Sequence, residues 1–145
     1  MRNHRIWKKK NGGFLKAKEG DSVLDLCRGS TDLAFLLSEK VGPNGQVTAL
    51  DFSNELLQIA AYRQRRRSKL CCKNIKWVEG NAVELPFFDS HFDAITIGYW
   101  LTNVVDRCKA VEEMCRVLKK GSKVSVLDFN KSTHPLNHFN SGLDG

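Results

Sequence analysis

Several things are missing from this 145-residue sequence, and each absence removes a class of protein. No apolar run approaches the roughly 18 residues that cross a bilayer. The five cysteines, Cys27, Cys71, Cys72, Cys108 and Cys115, are odd in number and include no CxxC pair. No secretory apolar region precedes them, so a disulfide framework or zinc site is not expected, and reduced thiols in an intracellular compartment are. The dinucleotide fingerprint G-x-G-x-x-G is also absent, which leaves a pyrophosphate-binding turn without support.

Acid is missing from one place in particular. Residues 1–18 carry seven bases (Arg2, Arg5, Lys8, Lys9, Lys10, Lys16, Lys18) and no carboxylate, and the rest of the chain balances sixteen bases with sixteen acids. The formal net charge of +7 therefore belongs to a leader ahead of a neutral body. A second acid-free stretch, Arg63 to Lys76, holds seven more bases. Such clusters can meet phosphate backbones or anionic lipid heads, but a solvated helix face is the commoner meaning. The leader lacks the Ser-rich amphipathic length of a transit peptide. The expected organisation is a basic leader over 1–18, a core over 19–130 and a polar tail over 131–145.

What is present alternates between two periods. Ser22–Leu26, Gln46–Leu50, Ile75–Glu79, Phe92–Ile97 and Val124–Phe129 are short apolar or alternating runs that read as strands. Between them, Leu33, Leu36, Leu37 and Val41 share one helical face, stopped by Gly42-Pro43-Asn44-Gly45. Ser53 is a candidate N-cap for a helix whose apolar side would be Leu56, Leu57, Ala60 and Ala61. Val111, Met114, Cys115 and Leu118 mark another helix, with Gly121 in the expected C′ position. Cys71-Cys72 is expected to be an incidental surface pair. The alternation predicts an α/β, doubly wound parallel sheet with helices on both faces.

Ligands of such sheets lie beyond the carboxyl ends of the strands. The suggestive residues fall there: Cys27–Thr31 after the first strand, Asp51 after the second, Asn81-Ala82 after the third, Gly98–Asn103 after the fourth. Gly29 permits close backbone approach, and a carboxylate at Asp51 is placed to accept hydrogen bonds from both ribose hydroxyls. Each residue alone could be an ordinary turn or strand-end residue. Together they predict a nucleoside site without a phosphate cradle, for which S-adenosylmethionine is the common ligand.

Longer segments carry a resemblance: GDSVLDLCRGSTDLAFLLSEKVG, ALDFS, WVEGNAVELPFFDSHFDAITIGYWLTNVVD and EEMCRVLKKGSKVSVLDFNKSTHPL. From His4 to Leu136 the chain resembles the ubiquinone/menaquinone-biosynthesis C-methyltransferase family, most closely its plant chloroplast branch, which acts on a phylloquinone precursor. The resemblance implies a Rossmann-like class I S-adenosylmethionine-dependent methyltransferase core and a chloroplast location. It implies that the loop with Gly29 and Ser30 wraps the methionine part of the cofactor, Asp51 holds the ribose, Asn81-Ala82 meets the adenine, and the region of Gly98 lines the methyl-transfer side. The reaction it implies is transfer of the sulfonium methyl to a ring carbon of a prenylated quinol. No catalytic base and no metal ligand is identified. The basic leader offers peripheral contact with a membrane.

The chain departs from the family pattern at four points. Thr31 replaces the second glycine of the loop, where a β-branched residue with φ > 0 would be strained by on the order of 1–2 kcal/mol. Arg28 replaces a small residue beside it, and Trp100-Leu101-Thr102-Asn103-Val104 stands for Gly-Leu-Arg-Asn-Val. Five strands are counted where the family has seven with a substrate-covering segment past Leu136, and the family also has a helical segment before His4, so the chain is expected to be truncated at both ends. Three functions follow as expectations: a quinol C-methyltransferase, a non-catalytic relic keeping the cofactor-binding core, or a basic nucleic-acid-binding module, the last disfavoured by the neutral body.

Overall fold

The computed structural model describes residues 17–26, 32–67, 72–97 and 104–126. Its elements run β1 (Ser22–Leu26), α1 (Asp32–Val41), β2 (Gln46–Asp51), α2 (Asn54–Arg66), β3 (Ile75–Glu79), β4 (Phe92–Ile97), α3 (Val104–Val117) and β5 (Leu118–Val126). The strands form one sheet in the order β3-β2-β1-β4-β5, and all four pairings are parallel. From β1 the chain steps outward through β2 to β3, then returns to the other side of β1 for β4. The carboxyl ends of β1 and β4 therefore flank the point where the winding reverses.

Alternation along the strands feeds two apolar layers. Val23, Val47, Ala49, Ile75 and Ala94 pack with Leu33, Ala34, Phe35, Leu37 and Val41 of α1. Leu24, Leu26, Leu50, Ile95, Ile97 and Val124 pack with Ala110, Met114 and Val117 of α3. Because strands in this sheet are covered on both faces, their apolar runs are nearly continuous, which is why they were legible. α2 lies on the α1 side over β3 and β2. There the Trp77 indole donates to Gln64 Oε1 at 2.6 Å and meets the Phe35 ring edge-on at 6.2 Å.

The turn chemistry behaves as expected at α1. Gly42 adopts φ +72°, its N–H donates to Ser38 O, and the Gly20 N–H donates to Val41 O. A Cβ on Gly45 would lie 2.5 Å from Val41 Cβ, so the return into β2 passes too close for any side chain. Ser53 caps α2, its hydroxyl accepting from Leu56 N–H at 3.3 Å.

Three expectations need correction. Leu118 is not the last turn of a helix, and Gly121 is not its C′ residue. α3 ends at Val117, where the Ser90 and His91 N–H groups donate to the Arg116 and Val117 carbonyls, and Leu118 already pairs with Phe92. The next aligned pair is Ala94 with Lys123, so β5 carries an outward excursion around Gly121, whose φ of +86° makes the bend. Leu56 is 36% exposed, not part of the core, because α2 buries only the narrow side carrying Leu57 and Ala60. Cys72 is buried rather than a surface thiol, packed into the α1-side layer with its carbonyl accepting from Gln64 Nε2. The expected strand end at Phe129 lies outside the described residues.

Candidate functional site

The carboxyl end of the sheet is built first from β2 and β3. Asp51 is the last residue of β2 and pairs in register with Glu79 of β3. One residue on, the Gly80 N–H donates to the Asp51 carbonyl at 2.9 Å, which brings the Asn81-Ala82 turn beside the Asp51 backbone. The approach at Gly80 is close: an added Cβ would stand 3.0 Å from Leu50 Cδ1, and that side chain would have to give by a few tenths of an ångström. The two expected ribose and adenine positions are thus neighbours across one strand pair.

Asp51 is buried, with 3% of its surface exposed, and its Oδ1 accepts from the Ser53 N–H at 2.9 Å. This contact fixes the carboxylate at the start of α2, where the free N–H groups of a helix favour negative charge. Next to it, Phe52 is 57% exposed and presents an aromatic ring at the rim of the same strand end. Sequence reading passed over Phe52, although an aromatic directly after a strand-end carboxylate was a usable signal.

Asn81 holds a tight turn. Its Oδ1 accepts from Val83 N–H at 3.1 Å and its carbonyl from Glu84 N–H at 2.9 Å. Ala82 and Val83 lean on the α3-side layer, so the turn stands on the core. Beyond it the chain is clamped to α3 by Glu113 and Arg116. Glu113 Oε1 accepts from Leu85 N–H at 2.7 Å. The Arg116 guanidinium donates to the Leu85 and Phe87 carbonyls at 2.9 and 2.8 Å, to Asp89 Oδ1 at 2.8 Å and to both Glu113 oxygens. The Arg116 hydrogen bond lowers the Glu113 pKa, burial opposes it, and the Leu85 N–H adds to the lowering. Arg116 is itself shifted upward, first by Glu113 and then by Asp89. A planar fork suits this multiple anchoring, which a lysine could not reproduce. The clamp went unseen in the sequence because it joins residues 27 to 31 positions apart.

Asp25 is the other carboxylate of the sheet centre. It is fully buried in β1 beside Thr96 of β4, whose hydroxyl donates to Asp25 Oδ1 at 3.1 Å. It therefore lies within the sheet and not on an open loop. Gly29 and Ser30 lie outside the described residues, as do Arg28, Thr31, Gly98, Trp100 and Thr102. Their flanks are placed: Leu26 ends β1 and Asp32 opens α1. Among the described residues no group of three or more His, Cys, Asp or Glu could hold a metal ion, and no helix is long and apolar enough to cross a membrane.

The arrangement suits a nucleoside better than a charged phosphate ligand. It pairs a fixed buried carboxylate, an exposed ring and an adjacent polar turn at the strand ends, the place where doubly wound sheets take ligands. The ubiE/COQ5 methyltransferase family matches residues 1–141. The chain is 58% identical over 139 residues to the Arabidopsis thaliana protein named 2-phytyl-1,4-beta-naphthoquinone methyltransferase, chloroplastic, covering 96% of this chain and 53% of that protein. It is 42% identical over 133 residues to the ubiquinone/menaquinone biosynthesis C-methyltransferase UbiE of Francisella philomiragia, covering 92% and 52%. The chain thus spans about half the length of the curated relatives it matches. Its fold superposes with a TM-score of 0.71 on a SAM-dependent methyltransferase from Aquifex aeolicus, at 27% identity over 82% of this chain and 61% of that one.

Proposed function

Since the chain belongs to the ubiE/COQ5 methyltransferase family, we propose that it forms the S-adenosylmethionine-binding core of a C-methyltransferase acting on a prenylated quinol. The observation that carries this reading is the meeting of Asp51 with the Gly80–Ala82 turn at one end of the sheet. The Asp51 carboxylate accepts from the ribose hydroxyls, Asn81-Ala82 borders the adenine, and the exposed Phe52 ring offers it a face. Gly29 and Ser30 take the methionine portion, as the family pattern suggests. When bound, S-adenosylmethionine would supply an electrophilic methyl group to a quinol ring carbon, the C–S bond breaking to leave S-adenosylhomocysteine and the ring carbon giving up its proton.

What the protein contributes is placement. Charge on sulfur is lost in the transfer, so acid assistance is not demanded, and orientation of the acceptor in line with the departing sulfur can supply up to about 7–11 kcal/mol of the barrier. The clamp of Arg116 and Glu113 supports this by holding the chain that follows Asn81 against α3. A chloroplast location and a phytyl-bearing naphthoquinol acceptor fit the name of the Arabidopsis relative.

Calorimetric titration with S-adenosylmethionine tests the binding half of this reading: saturable heat is expected, and none at millimolar ligand overturns it. Transfer of a labelled methyl group to reduced prenylated naphthoquinone tests the catalytic half. A chain that binds the cofactor but labels no quinol would leave the binding core and remove the acceptor assignment.

A further inference from the structure

Helix α2 has two dissimilar sides. One faces the sheet through Leu57 and Ala60, with Gln64 bonded to Trp77 and to the Ile75 carbonyl. The other leaves large apolar side chains in solvent at successive turns: Leu56 is 36% exposed, Ile59 54% and Tyr62 53%. Bases follow at the far end of the same helix, Arg63, Arg65 and Arg66, with Glu55 in the first turn as its one acid. The Arg66 guanidinium lies 5.8 Å from the centre of the Tyr62 ring, so cation and ring share one surface. Arg65 and Arg66 are exposed, and no acid lies between Arg63 and Lys76 in the sequence, although Arg63 itself pairs with Asp32 at 3.4 Å.

We infer that this side of α2, with Ile59 and Tyr62 flanked by Arg65 and Arg66, docks on an anionic lipid bilayer. An aromatic and an aliphatic residue next to arginines match the boundary between acyl chains and headgroups, where apolar atoms enter and cations stay at the phosphates. A second copy of the chain fits poorly: a two-fold contact sets the same patch against itself and would oppose arginines to arginines. A nucleic acid would use the arginines but not Leu56 or Ile59. Position gives the surface a purpose, a step that rests on the proposed quinol acceptor. α2 begins two residues after Phe52, so a docked helix brings the rim of the Asp51 site to the membrane that dissolves a prenylated substrate.

The test is flotation of the full chain with phosphatidylcholine vesicles, with and without phosphatidylglycerol, in the absence of cofactor and quinol. The chain is expected to float with the anionic vesicles and to be released by salt. The Ile59→Ser/Tyr62→Ser pair should lower partitioning by more than about tenfold. Arg65→Gln/Arg66→Gln should lower it by about fivefold for each arginine removed. Calorimetry on the same variants should give unchanged S-adenosylmethionine affinity, and this separates loss of docking from failure of the pocket. Vesicle binding that both variants retain in full overturns the inference, because the leader would then carry it. So does a wild-type chain that ignores anionic vesicles, or a concentration-dependent dimer that the Ile59→Ser/Tyr62→Ser pair abolishes. Oligonucleotide binding weakened by the arginine pair in a chain that ignores vesicles would reassign the surface to nucleic acid.

Discussion

Replacing Asp51 separates two jobs that one carboxylate performs. Its Oδ1 accepts from the Ser53 N–H at 2.9 Å, which secures the entry into α2, and its charge is available to ribose hydroxyls at the strand end. Asp51→Asn keeps an oxygen for Ser53 and removes the charge and the second acceptor. A hydrogen bond to a charged group contributes about 1.5–3 kcal/mol and a neutral one about 0.5–1.5 kcal/mol. The Asn variant should therefore bind S-adenosylmethionine about 1–2 kcal/mol more weakly, roughly a 5- to 30-fold rise in Kd. Its melting temperature should stay within about two degrees of wild type, since the contact that anchors α2 survives. Asp51→Ala loses both jobs and should add about 1 kcal/mol of destabilisation, visible as a drop of several degrees. Titration calorimetry reads the affinity and scanning calorimetry the stability, on the same samples. An Asn variant whose Kd stays within twofold of wild type would refute the ribose role. Equal melting temperatures for wild type and the Ala variant would refute the anchoring role.

Gly45→Ala should destabilise by about 1–3 kcal/mol in urea titration, because the new methyl would meet Val41 Cβ at 2.5 Å and its carbonyl at 2.7 Å; a neutral outcome would mean the turn can move aside. Arg116→Lys should lower the melting temperature by several degrees, since a single ammonium cannot hold the Leu85 and Phe87 carbonyls together with Glu113 and Asp89, and an unchanged melting temperature would mean the clamp adds nothing to the fold. Acid should weaken the fold through Glu113 and Asp93. Burial pushes the Asp93 carboxyl up, but the Ser22 N–H and the Lys119 ammonium bring it down on balance, and Glu113 is lowered by Arg116. Both carboxylates bind protons less readily folded than unfolded, so their contribution is complete above the ordinary carboxylate range near pH 4 and is lost as pH falls through their lower folded values. Urea midpoints followed below pH 5 should show this decline, and Asp93→Asn/Glu113→Gln should flatten it.

The strands were legible because their signals are local. Ser22–Leu26, Ile75–Glu79 and Phe92–Ile97 have the bounds expected from apolar runs between turn residues, and Asp51 extends the second strand by one. Strand-end logic put Asp51 and Asn81-Ala82 at the ends of the second and third strands, and the pairing of β2 with β3 is what makes them neighbours. Errors arose where a distant partner decides. Leu118 continues the helical period of Val111, Met114 and Cys115, yet Phe92 claims it for the sheet. Leu56 fits the apolar stripe of α2, but the helix rests on the sheet with only a narrow side. The Arg116 clamp and the burial of Cys72 depend on segments that come together only in the folded chain.

The contacts of Asp93 divide the sheet into two territories. One oxygen accepts from the Ser22 N–H at 2.8 Å, the other from Lys119 at 3.0 Å, and the outward excursion of β5 around Gly121 is what gives Lys119 its place. The starting ends of β1, β4 and β5 are thereby latched together at the pole opposite the candidate site. Substitutions there should be paid in folding free energy, and substitutions at the other pole in ligand affinity. A lineage can then retune which molecule the strand tips recognise while the latch keeps the same sheet standing.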